Sequence, residues 1–149
     1  MTRKRLSLAV QNQVRQRANF LCEYCHADEK WQYVQFTLDH IIPLKQGGDN
    51  SLNNLALACF HCNRYKAASQ VAVDPLTQRT VPLFNPRRQS WSQHFIWSTD
   101  SLTVIGTSEI GRATLDNLQL NRERIVVIRA ADKIANRHPP PGDPVQTQE

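Results

Sequence analysis

Four cysteines carry the clearest chemistry in the chain. Cys22 and Cys25 form one C-x-x-C pair and Cys59 and Cys62 a second, 33 residues further on. A C-x-x-C turn points two thiolates at one centre, and two such turns complete a tetrahedron around zinc at about 2.3 Å per sulfur. Two disulfides, a redox pair or buried small hydrophobes are the competing explanations. Disulfides suit an oxidising compartment, and a redox pair calls for a βαβ context that this sequence does not show. Closure by four thiolates leaves no open coordination position, so such a zinc folds the chain and any catalysis sits elsewhere.

The segment between the pairs has to supply the elements. Tyr33 to Leu38 alternates in a β-rich pattern and predicts a short strand ending at Asp39-His40. Gly47-Gly48-Asp49-Asn50 marks a loop, and residues 60 to 69 predict a short helix carrying Asn63, Arg64 and Lys66. Strand, loop, strand and helix folded around one ion is the expected organisation. His26 and His61 are expected to face solvent.

In this order and spacing the residues resemble the HNH endonuclease family. The motifs are Cys22-x-x-Cys25, Asp39-His40-Ile-Ile-Pro43, Gly47-Gly48-Asp49-Asn50-Ser51-Leu52-Asn53-Asn54-Leu55 and Cys59-x-x-Cys62-Asn63-x-x-Lys66. The resemblance implies an α+β protein with a ββα-metal core that hydrolyses nucleic-acid phosphodiesters, most simply of double-stranded DNA, with one Mg²⁺ or Mn²⁺. Hydrolysis needs a deprotonated water and positive charge to offset what builds up on phosphate. His40 is the candidate general base, since imidazole is the side chain that titrates nearest neutral pH. Asp39 offers a hard oxygen for the divalent ion. Neighbours on a regular strand point to opposite faces, so both serve one site only if the strand ends or bends here. The family's structural Asn falls on Asn54, with Asn53 as the competing assignment. Its third position, commonly His, is Asn63 here, an amide that still suits Mg²⁺, as in the H-N-N members of the family. Arg64 and Lys66 are candidates for gripping backbone phosphates, with a solvated helix face as the alternative.

The flanks read differently. Leu8 to Ala18 predicts a short amphipathic helix within a basic segment, residues 1 to 20, that holds Arg3, Lys4, Arg5, Arg15 and Arg17 and no acid. The core is expected over 21 to 70 and an α+β extension over 71 to 138. There, Asp74-Pro75-Leu76-Thr77 is a turn, and Pro82 with Asn85-Pro86 marks a loop. Trp91 to Ser98 and Leu102 to Gly106 predict a hairpin, with Trp91, Phe95 and Trp97 in its core. Ser108 is set to cap a helix over 109 to 118 and Asn121 a longer one to Asn136. Pro139 to Pro141 open a tail expected to be disordered. This extension resembles one found on many small stand-alone bacterial HNH proteins.

The 149 residues are 40% hydrophobic and 21% charged, with a net charge of +5, a globular composition with a lean towards polyanionic partners. No apolar run approaches the roughly 20 residues that cross a bilayer, and the basic N-terminus lacks a signal-peptide pattern. A cytoplasmic protein is therefore expected. The rival to a nuclease is a catalytically inactive zinc-knuckle module that binds nucleic acid.

Overall fold

The computed structural model describes residues 6–148; Arg3, Lys4 and Arg5 lie outside them. The chain is α+β: four helices and three two-stranded antiparallel ladders. Helix α1 spans Leu8–Arg17, and the Ser7 side chain accepts from Val10 N at its start. Strands β1 (Thr37–His40) and β2 (Leu55–Ala58) pair so that Asp39 faces Ala56 and His40 faces Leu55. Helix α2 (Phe60–Lys66) follows and completes a ββα unit. Every β2 residue is buried, which explains an unbroken apolar Leu-Ala-Leu-Ala in place of alternation.

Strand β1 begins four residues later than the alternation suggested. Phe36 N donates to Glu29 Oε2 (2.5 Å) and Phe36 O accepts from Arg15 Nη2 (2.9 Å), so side chains take the backbone groups a ladder would use. Tyr33 and Val34 are left exposed. The α1 helix also reaches β2, where Arg17 donates to Leu52 O and Leu55 O.

The extension contains β3 (Val71–Val73), β4 (Thr80–Pro82), β5 (Phe95–Trp97), β6 (Val104–Gly106), α3 (Glu109–Leu118) and α4 (Glu123–Ile134). Ser108 caps α3 by accepting from Gly111 N. A Cβ on Gly111 would lie 2.0 Å from His94 O, so α3 packs against the chain leading into β5 only because that residue is glycine. Phe84, Trp91, Phe95 and Trp97 build the core of this half.

Four expectations are corrected. Pro82 is not in a loop but pairs with Val71 in a β3–β4 hairpin. Trp91–Gln93 is a 3₁₀ turn, so the strand starts only at Phe95. Asn121 does not cap α4: its side chain accepts from Val104 N and donates to Val104 O, stitching α4's approach to β6. The tail is ordered against β5, where Trp97 N donates to Pro144 O and Gln146 N to Trp97 O. Asp143 Oδ2 there accepts from Trp97 Nε1 (2.9 Å) and meets His26 Nδ1 (2.7 Å).

Asp74 joins the β3–β4 turn to α3. Its carboxylate accepts from Arg112 Nε and Nη2 at 3.0 and 2.9 Å, and from Leu76 N and Thr77 Oγ1. The Arg112 guanidinium holds the carboxyl far below the usual carboxylate range. Unfolding returns it to about 3.9, so its stabilisation is full above about pH 4 and fades as pH falls further. Asp74→Asn is therefore expected to lower the melting temperature at pH 7. The gap from wild type should narrow in melts taken progressively below pH 4.

Candidate metal centre and active site

The cysteine cluster is assembled by three elements. The turn at Cys22 is closed by Cys22 N donating to Ala27 O, and Glu23 pairs with Leu57 of β2 through both its backbone N–H and its carboxylate (2.8 Å each). Cys59 sits at the N-terminus of α2, where its sulfur accepts from Cys62 N. All four sulfurs are buried and lie within 4.8 Å of one another, with Cys25 and Cys59 Sγ 3.8 Å apart. A tetrahedron with arms of about 2.3 Å has edges of about 3.8 Å, so the arrangement suits zinc. Burial pushes the Cys22 thiol well up, and the Cys22 thiol pushes Cys62 up likewise, whereas hydrogen bonds from those thiols and Cys59 hold Cys25 down. Four buried thiolates need positive charge to offset their own, and the buried Arg129 guanidinium, which Cys25, Cys59 and Cys62 feel in common, supplies a single charge.

His40 ends β1 and is buried with its ring directed at the following loop, where Nε2 meets Asn50 Oδ1 at 2.7 Å. The loop is held by Asn54. Its Oδ1 accepts from Ile42 N (2.8 Å), and its Nδ2 donates to Ile42 O (2.9 Å) and Asp49 O (2.8 Å). Asn53 makes no such contacts among the described residues. Gly48 is required by the same closure: a Cβ there would lie 1.8 Å from Ile42 O and 2.9 Å from Asn54 Nδ2.

Asp39 points to the opposite face, into the interior. Tyr24 Oη donates to Oδ2 at 2.7 Å, and Lys66 Nζ approaches the same oxygen at 3.2 Å. Burial pushes the Asp39 carboxyl up; the Lys66 ammonium and the Tyr24 hydroxyl pull it back. Lys66 also donates to His40 O (3.3 Å) and Ile41 O (3.1 Å), so one ammonium binds the carboxylate and both carbonyls that follow it. Lys66 is only 1% exposed, which corrects its placement on a phosphate-facing surface: the one-turn offset from Asn63 turns it under β1. Arg64 remains exposed. Asn63 is half-buried on α2, and among the described residues no hydrogen bond joins it to Asp39 or His40.

Two histidines also depart from expectation. His26 stacks on Trp91 and pairs with Asp143, and His61 stacks on Tyr65 beside Leu118 O; neither faces solvent freely. Tyr24 and Asn50 escaped the motif pattern. Tyr24 lay hidden inside a cysteine pair, and Asn50 inside a run of turn residues.

The HNH endonuclease family model matches residues 22–69, the stretch holding both cysteine pairs, β1, β2 and α2. No curated protein and no solved structure matches the chain. The match supports a nuclease-family function exerted on nucleic acid. No helix among the described residues is long and apolar enough to cross a membrane.

Two measurements probe this geometry. Elemental analysis is expected to find one zinc per chain, and Cys62→Ser to lose it together with the cooperative melt, because metal binding is coupled to folding. Lys66→Met leaves Asp39 buried without its cation and is expected to cost about 3–5 kcal/mol in urea unfolding. Adding Asp39→Asn to that variant should recover part of the loss.

Proposed function

We propose that the protein is a metal-dependent endonuclease that hydrolyses phosphodiester bonds of DNA, with His40 as general base. The observation that carries this reading is the fixed His40 ring, oriented by Asn50 on a loop braced by Asn54, inside the HNH match. Held by Asn50, the His40 imidazole takes the proton from an attacking water. The imidazolium so formed then gives its proton up to solvent, which returns His40 to its neutral form.

Asp39 and Asn63 would hold the divalent ion, Mg²⁺ or Mn²⁺. Their donor chemistry fits in kind: a carboxylate and an amide oxygen are both hard ligands, and Mg²⁺ fills its remaining positions with water. Such an ion supplies positive charge against the charge that builds on the phosphate. Arg64, exposed on α2, is the residue available to steady the phosphate backbone. Four cysteines kept reduced for zinc fit a reducing compartment such as the cytoplasm.

The second reading, a zinc module that binds nucleic acid without cutting it, draws on one observation. The Asp39 carboxylate is already paired with Lys66, so an ion there shares the carboxylate with a buried ammonium.

Incubation of purified protein with supercoiled plasmid and Mg²⁺ or Mn²⁺ separates the two. Cleavage is expected, with His40→Ala at least about 100-fold slower. Equal cleavage by the two proteins removes His40 from the role, and salt-sensitive binding with no cleavage under either ion favours the second reading.

A further inference from the structure

We propose that the cleft between the His40 loop and the 82–89 segment of the extension seats a nucleotide that flanks the cleaved phosphodiester, with Arg88 as its phosphate contact. The inference rests on the nuclease reading of His40. The cleft has a volume of about 310 Å³, within the range of ligand pockets. Ile41 and Ile42, the two residues after His40, line the cleft and tie it through the chain to the His40 loop. Leu83 and Phe84 line the cleft from the extension but are buried in its core, so the polar residues that follow them are what an occupant meets there.

Two of the amides that line the cleft present donors to it. Gln89 Oε1 accepts from Asn85 N, and Asn85 Oδ1 accepts from Arg87 N, each at 2.9 Å. Both amide oxygens are thus committed to backbone, and each side chain turns its N–H groups outward as donors. Arg88 is exposed, and no acidic side chain lines the cleft. Lys66 adds positive charge from beneath, although its hydrogen bonds go to Asp39 and two carbonyls. Donor amides and an exposed Arg88, with no acid in the lining, select an anionic ligand, and the phosphate of a nucleotide in the substrate strand meets that condition. The segment 82–89 belongs to the extension, so the extension completes the substrate site and is more than a structural appendage.

The test compares Arg88→Ala with Arg124→Ala, an equal loss of charge from an exposed site on α4 outside the cleft. Binding of a fluorescein-labelled DNA duplex is titrated in the His40→Ala background, so that no cleavage intervenes. Loss of one phosphate contact lowers the salt slope by about 0.9, or affinity by roughly tenfold near 0.1 M salt. Arg88→Ala is expected to show that drop and a matching rise in KM for cleavage, with Arg124→Ala well below it. Equal effects of the two variants overturn the cleft assignment while leaving the nuclease reading intact. Binding that depends on Arg88 in a protein that cuts nothing leaves the cleft and sinks the nuclease. A wild type that neither binds nor cuts the duplex overturns both.

Discussion

The strands of the ββα unit are four residues each and its helix is seven, too short to persist on local hydrogen bonding or on the apolar area they bury between themselves. What the rest of the molecule depends on is the closure of four buried sulfurs contributed by two distant turns. The second pair opens α2, and the first is laced to β2 through Glu23 and Leu57. Bringing the sulfurs together therefore sets the helix against the sheet. A metal at that cluster would supply folding free energy in this way, so the small ββα unit need not rely on its own apolar area.

A second constraint runs at right angles to the first. Asp39 and His40 are neighbours on a strand and must face opposite sides, and β1 uses both faces. Inward, Asp39 meets Lys66 and Tyr24, which ties α2 and the first cysteine turn to the strand. Outward, His40 meets a loop whose path is set by Asn54 and by the missing side chain of Gly48. The two faces communicate through Lys66, because the same ammonium that pairs with Asp39 also fixes the carbonyl of His40. An isolated buried charge pair is often neutral in stability. Here its value lies in registering the backbone at His40 and Ile41.

Residue type and spacing made the cysteine cluster, the Asp39-His40 strand end, the loop and α2 legible, because each depends on local pattern and on one ion's geometry. Ser108 and α3 were legible for the same reason: a cap and its helix lie within a few residues. What escaped depends on contacts between distant residues. The late start of β1 follows from Arg15 and Glu29 claiming the backbone of Phe36. The burial of Lys66 follows from helix phase against a strand 26 residues earlier. The order of the tail follows from Asp143 finding Trp97 and His26, partners that no local rule pairs with a proline-rich end.

The same long-range contacts explain why the extension and the core are hard to separate physically. Trp91 Nε1 donates to Tyr24 O, Arg87 pairs with Glu23, and Asp143 meets His26, so two residues of the extension and one of the tail grasp one cysteine turn. Tyr24 in turn donates to Asp39. A displacement of the extension is thus transmitted through Trp91 and Tyr24 to the Asp39 carboxylate, next to His40, within two hydrogen bonds. The extension braces the turn that carries half the metal ligands, which ties the geometry around His40 to residues far outside the motif that names its chemistry.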